Sequence, residues 1–433
     1  MSKTKIYEKD LSYTILKPAV DLCTRACYLQ IDVKGKENIP TDGAVLITAN
    51  HCNTLMDALV ILQAFKDESV FGARADMFKR KLIAKAMFFL RILPMVRQRD
   101  GLRNVLKNYE SIDTITETLE NGVRFCMYPE GRHRPAHSLL PLGKGALRAA
   151  LAANSKFGAE KPVYIIPTGI EYGDYFRYRS TCLVTFGKPI NVTEFVRNLD
   201  VENEAQMMEP LRKELRERMS ELITYIADDE NYKKKWALTR ILAREDARTG
   251  SLTDRMQHNR HVISQIEKAI ELKPKEMEEI LEDALEFDEE RRKKGLSIWS
   301  FGRRNNIGRA VGKGLLALLG LPGFLICAIV SLPMWLTFEI LRKNLKDKAF
   351  HNTAGLGIKL AMGPIVSLIW GIVAFCLFKW PVALLITLLT FPAFGFFYDY
   401  KELIRTYISD LKLLKDKKTS RLFNEICKDF SRL

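Results

Sequence analysis

The chain has 433 residues and a formal charge of +15, from 67 Lys and Arg against 52 Asp and Glu. That length gives two or three structural units with ample chain for a real core. The basic excess requires an anionic partner. The apolar residues are concentrated in the last third, so that partner is read as lipid, and no nucleic acid is expected.

The eight cysteines, Cys23, Cys27, Cys52, Cys126, Cys182, Cys327, Cys376 and Cys427, form no CxxC pair and no zinc spacing. Several sit in apolar runs, where a free cysteine behaves as a small hydrophobe. They read as reduced and cytosol-facing, with no metal site expected. His133 and His137 lie near Glu130, but without a third ligand at familiar spacing.

In chain order, the N-terminus lacks a signal peptide's apolar core, because Lys17 and Asp21 interrupt it. Residues 11–26 carry apolar positions loosely at helical spacing. This is an amphipathic helix that either lies on a membrane or packs on the domain. Residues 27–34 read as a strand, and 35–43, with Pro40 and Asp42-Gly43, as a turn.

Residues 44–48 are a short β-branched apolar run, the pattern of a buried strand. Small and polar residues break it at Ala49-Asn50-His51-Cys52-Asn53, and Leu55, Leu59 and Leu62 resume at helical spacing. A His at a strand end with an Asp at the next helix start is a place for proton chemistry: the carboxylate fixes the ring tautomer and the other nitrogen is a base. The competing structural account is that Thr54-Leu55-Met56-Asp57 is a capping box and His51 an ordinary loop residue.

Residues 70–73 are a short strand. Residues 78–93 read as one helix ending at Pro94, followed by a strand end and turn carrying Arg97 and Arg99. Residues 102–119 are a helix, and 122–128 a strand running into Pro129-Glu130-Gly131-Arg132-His133-Arg134. Residues 143–153 form a helix headed by Lys144. Residues 163–166 are a strand ended by Pro167-Thr168-Gly169, and 183–186 a further strand. Strands alternating with helices indicate an α/β sheet, in which ligands gather at strand C-terminal ends. Each polar cluster follows a strand.

Residues 201–302 read as charged, solvated helices, for example 207–225 and 275–293. Two apolar stretches follow, 315–341 and 358–398, the second interrupted at Lys379-Trp380-Pro381. A bilayer needs such runs and a soluble core does not. Basic clusters at Arg303, Arg304, Arg309 and Lys313, at Arg342 to Lys348, and beyond Lys401 flank both. If positive flanks stay in the cytoplasm, both stretches return to the side they left. The second is then a hairpin turning at 379–381. The first is a re-entrant hairpin bent at 320–323 and Pro333, or else it crosses once. Trp299 is either an interfacial anchor or a packed aromatic.

Four ordered blocks carry a resemblance: Asn50-His51 with Asp57; Arg97 or Arg99 after an apolar strand; Tyr128-Pro129-Glu130-Gly131 with Lys144-Gly145-Ala146; and Ile165-Ile166-Pro167. Over roughly residues 36–189 the chain resembles the glycerolipid acyltransferase superfamily, the glycerol-3-phosphate and lysophosphatidate acyltransferases. It departs in having five residues between His51 and Asp57, and Arg132-His133-Arg134 where Thr-Arg-Ser is usual.

The resemblance implies an α/β fold with a mixed sheet flanked by helices, joined to a charged helical region and C-terminal membrane helices. The implied partition is 1–35, helix and first strand; 36–200, acyltransferase domain; 201–302, charged helices; 303–400, membrane hairpins; and 401–433, basic helix. It implies a membrane-bound O-acyltransferase of phospholipid biosynthesis. The donor is acyl-CoA or an acyl carrier protein thioester, and the acceptor glycerol-3-phosphate or its 1-acyl derivative. No further cofactor is expected. His51 is the base and Asp57 its orienting acid. Asn50, Arg97, Arg99, Arg132, Arg134 and Lys144 bind substrate, the arginines through phosphate. Glu130 either binds the acceptor's free hydroxyl or structures the loop, and Gly131 allows close backbone approach. The implied location is the inner, cytoplasmic membrane with the catalytic domain on the cytoplasmic side. Competing readings are an acyltransferase to an amino-acid lipid, a thioesterase, or a non-catalytic lipid-binding membrane protein.

Overall fold

The computed structural model describes residues 5–8, 10–79, 81–95, 105–199, 203–227, 229–243, 250–302 and 306–433. The chain forms two units, Met1–Ile223 and Thr224–Leu433.

The first unit opens with α1 (Leu11–Ala26), capped by Asp10, whose side chain accepts from the amides of Ser12 and Tyr13. Its Lys17 is buried, donating to Asp21 (2.6 Å) and to the Phe65 carbonyl (3.0 Å). Leu11, Ile15 and Leu22 remain exposed. Strands β1 (Tyr28–Lys34) and β2 (Ala44–Ala49), α2 (Leu55–Leu62), β3 (Ser69–Arg74), α3 (Lys81–Phe89), β4 (Ile92–Met95), α4 (Val105–Glu120), β5 (Arg124–Met127), α5 (Gly145–Phe157), β6 (Val163–Tyr172), β7 (Ser180–Phe186), β8 (Ile190–Asn191), α6 (Val192–Asn198) and α7 (Glu204–Glu221) follow.

The eight strands make one mixed sheet in the order β1-β7-β6-β2-β5-β3-β4, with β8 also on β6. β2 lies between β5 and β6, parallel to both, and all six of its residues are buried. This is why it reads as an unbroken apolar run rather than an alternating one. The C-terminal ends of β2, β3, β4, β5 and β6 share one edge. β6 and β7 are antiparallel, so the residues joining them lie on that edge too.

Two expected elements differ. Residues 78–93 are not one helix: α3 stops at Phe89, and Arg91, at φ 58°, reverses the chain into β4. β4 pairs with β3 and contains Pro94, which an edge strand tolerates because one side of its backbone needs no donor. Likewise β6 does not end at Pro167 but runs to Tyr172. Along its second side, β6 pairs with β8 at 164–165 and with β7 at 168–172, and Pro167 falls in the gap. Thr168 is therefore a buried sheet residue rather than part of a polar loop.

In the second unit, α8 (Tyr232–Leu242), α9 (Leu252–Leu272), α10 (Pro274–Lys293) and α15 (Lys417–Phe430) enclose a core centred on Phe287, Phe301 and Phe423. Trp299 is half-buried against this core, a packed aromatic rather than a lipid anchor. Then come α11 (Asn306–Val330), α12 (Leu332–Asn344), α13 (His351–Leu377) and α14 (Trp380–Lys415). Three helical stretches, Ile307–Val330, Lys348–Leu377 and Trp380–Lys415, are long and apolar enough to cross a membrane. The turn at Lys379 between α13 and α14 is as expected. The bend at 320–323 is absent: α11 runs on through Pro322, and the interruption comes at Ser331, before Pro333.

Candidate active site

β2 delivers the chain to Asn50 and His51 at the sheet edge, and α2 starts five residues on. Between them the backbone must turn sharply, and Thr54 takes φ 47°. Thr54 makes no side-chain cap, so the capping-box alternative does not hold. Asp57 points back into the loop. Its Oδ2 accepts from the Cys52 amide (2.8 Å), the Asn53 amide (2.7 Å) and His51 Nδ1 (2.7 Å). Its Oδ1 accepts from the Tyr172 hydroxyl (2.7 Å). The carboxyl is fully buried, while His51 is partly exposed. With Nδ1 committed to Asp57, proton exchange with a substrate falls to Nε2.

Four further contacts fix His51, two on its ring and two on its backbone. Tyr128 stacks on its face, with ring centroids 4.2 Å apart and 19° between planes. His133 stands edge-on at 5.7 Å. The His51 amide donates to Glu130 Oε1 (3.0 Å), and the His51 carbonyl accepts from the Arg134 amide (2.8 Å).

Glu130 Oε2 takes the Leu140 amide (2.8 Å), so one carboxylate ties the loop after β2 to both arms of the loop after β5. That second loop is closed at its neck by the Gly143 amide on the Pro129 carbonyl (2.7 Å). From α7, Arg216 holds it through the Leu139 and Leu140 carbonyls (3.2 and 2.8 Å). Of the two roles expected for Glu130, the geometry shows the loop-structuring one. Burial raises its pKa above the ordinary glutamate value, against the two amide bonds and the charges of His51 and Arg134.

Asn50 is buried and bonded at both ends of its carboxamide. Oδ1 accepts from the Ile170 amide (2.7 Å), and Nδ2 donates to the Ile170 carbonyl (3.0 Å). It pins the end of β2 to β6, with both polar ends of its side chain on the Ile170 backbone. A Cβ at Gly131 would meet nothing within 4 Å, but its φ of +66° favours glycine. Arg134 is half-buried and tied into its own loop through Ser138 (2.6 Å). Arg132 and Lys144 are exposed, Lys144 at the N-cap of α5. Arg97 and Arg99 lie outside the described residues.

Among the site residues, sequence reasoning missed Tyr172 and the β6 backbone at Ile170, which approach from about 115 positions downstream and leave no local signal. Burial pushes the Tyr172 hydroxyl well above the ordinary tyrosine value, which keeps it a proton donor to Asp57. Tyr128 was visible as the aromatic before Pro129, but its stacking role was not.

Residues 30–171 match the Acyltransferase family model. No curated protein matches the chain. Among solved structures, one match is the crystal structure of the 1-acyl-sn-glycerophosphate (LPA) acyltransferase PlsC from Thermotoga maritima. It is 21% identical, covers 49% of this chain and 81% of that one, and has a TM-score of 0.36.

Proposed function

With residues 30–171 forming an Acyltransferase-family domain, we propose that this chain is a membrane-bound O-acyltransferase. It moves a fatty acyl group from acyl-CoA or an acyl carrier protein thioester to a hydroxyl of glycerol-3-phosphate or 1-acylglycerol-3-phosphate. The observation that carries the reading is the buried Asp57 carboxyl on Nδ1 of a partly exposed His51.

In the mechanism, the acceptor hydroxyl hydrogen-bonds to His51 Nε2. As the oxygen attacks the thioester carbonyl, Nε2 takes the proton and Asp57 stabilises the imidazolium. The tetrahedral intermediate collapses by breaking the C–S bond, and the imidazolium returns its proton to the departing sulfur. A positioned base contributes about 10²–10⁴-fold, and holding both substrates at one sheet edge adds effective molarity. The stacked Tyr128, the Tyr172 hydroxyl and the Glu130 bridge keep the ring in register. No cofactor enters these steps.

Arg132 and Lys144 are exposed at the two ends of the loop after β5 and are suited to the acceptor phosphate. Arg97 and Arg99 join them on the strength of the motif order. The apolar helices hold the enzyme where its amphiphilic substrates partition. Free cysteines and basic helix flanks support a cytoplasmic-membrane enzyme with its catalytic unit on the cytoplasmic side.

The test is purified protein with labelled acyl donors and a panel of phosphorylated and unphosphorylated acceptors. Wild type should acylate the phosphorylated glycerols, and His51→Ala should not. Arg132→Ala with Lys144→Ala should raise KM for those acceptors alone. Identical products from wild type and His51→Ala, or acylation of an amino-acid lipid only, would overturn the proposal.

A further inference from the structure

We infer that α11 and α12 form a re-entrant hairpin in the bilayer: the chain goes in along α11, turns back at Ser331, and comes out along α12 on the face it entered. Length and composition would let α11 cross the membrane once. The order of its contacts along α14 says otherwise.

From the C-terminal end of α14, Asp410 pairs with Arg309 (3.0 Å) and Lys313 (2.7 Å). Tyr407 lies against Gly314. The Tyr400 hydroxyl donates to the Ala317 carbonyl (2.8 Å), and Phe397 stacks on Phe324 at 5.3 Å. α11 therefore runs antiparallel to α14. α12 then retraces the same helix in the opposite sense. Trp335 stacks on Phe397 at 5.0 Å, Phe338 meets Phe394 and Tyr398, and Glu339 pairs with Lys401 (2.9 Å). Phe397 touches both arms, so the turn lies deeper than Phe397.

At about 1.5 Å per residue, Gly314 to Val330 covers roughly 25 Å and α12 roughly 20 Å, both short of a hydrocarbon core of about 30 Å. α13, with 27 residues, reaches roughly 40 Å. A turn inside hydrocarbon must have its backbone groups satisfied by protein, and three carbonyls of this one are held that way. The Cys327 carbonyl accepts from the Ser331 amide and hydroxyl. The Ala328 carbonyl accepts from the Trp335 indole (2.8 Å), and the Val330 carbonyl from the Trp370 indole of α13 (3.1 Å). Two indole N–H groups spent on helix-end carbonyls have a purpose where water does not reach.

The α13–α14 hairpin opens on the same face. Ser367 bonds Thr390 and Gly371 lies against Thr387, so the start of α13 lies alongside the C-terminal half of α14. The loop between α12 and α13, with Lys346 and Lys348 and with Lys343 just before it in the last turn of α12, therefore shares a membrane face with Arg309 and with α15. This inference does not depend on the proposed chemistry.

The experiment uses full-length protein in sealed membrane vesicles, with Cys327→Ala, Cys376→Ala and Cys427→Ser. The five remaining cysteines are buried. Lys293→Cys, before α11, and Lys346→Cys, after α12, both at exposed positions, are reacted separately with a membrane-impermeant maleimide before and after detergent. In vesicles of uniform orientation the expected result is the same pre-detergent fraction at both positions, a ratio near 1. Complementary fractions would place the two positions on opposite faces and overturn the inference. Lys343→Cys repeats the measurement should Lys346→Cys fail to insert.

Discussion

Asp57→Asn separates charge from scaffolding at this site. The Cys52 and Asn53 amides both point at Oδ2, so an asparagine must put its carbonyl oxygen there and its amide nitrogen at the Oδ1 position. That oxygen still accepts from His51 Nδ1 and holds the tautomer. The amide nitrogen donates to the Tyr172 oxygen once that hydroxyl rotates away. Every contact survives and only the negative charge is lost. For charge centres about 4 Å apart at an effective dielectric near 20, the carboxylate stabilises an imidazolium by at most about 4 kcal/mol. The expected loss in kcat is therefore about 10²–10³-fold, with thermal stability close to wild type. Asp57→Ala differs. It leaves two amides and a buried hydroxyl without partners, at about 1–3 kcal/mol each, a large part of a typical total of about 5–15 kcal/mol. It should fail to fold. The assay is steady-state acyl transfer from a thioester, with thermal unfolding in detergent alongside. An Asp57→Asn enzyme that folds and keeps kcat within threefold of wild type would refute the role given to the carboxylate.

Tyr172→Phe removes one donor from Asp57 without changing volume, and should lower kcat about tenfold with little change in KM, checked in the same assay. Gly131→Ala has space for its methyl, so only the left-handed backbone is penalised. A loss of about 1–2 kcal/mol is expected by thermal unfolding, and a larger one would mean an unseen clash. For Glu130, the folded-state pKa is raised above 4.5, so its contribution to stability is full below that value and is lost as pH rises through the raised one. Wild type should therefore lose stability relative to Glu130→Gln across that interval in melts at graded pH, and parallel curves would contradict the burial effect.

The strands and the two loops at the sheet edge were legible because each apolar run stops abruptly at polar residues. The partners of Asp57 were not. A Thr-x-x-Asp spacing describes a helix cap as well as this inverted carboxylate, and only the fold brings the Cys52 and Asn53 amides and Tyr172 to it. Pro167 was misread because a proline normally ends a strand, whereas here the partner strand changes at that residue. Residues 78–93 were misread because an apolar run does not distinguish a helix from a helix followed by a four-residue strand. Arg91 at φ 58° makes the difference. The expectation for Asn50 came from the Asn-His pair of the resemblance, and nothing in the local sequence points to its two bonds with Ile170. Its work is to hold two strands together.

One strand, β6, supplies both Ile170, which grips Asn50, and Tyr172, which grips Asp57. Asn50 and Asp57 are translated more than a hundred codons before these two partners. A nascent chain stopped short of residue 163 already carries His51, Asp57 and the Glu130 loop, yet lacks the bonds from Ile170 to Asn50 and from Tyr172 to Asp57. The site is therefore completed only when β6 joins the sheet beside β2.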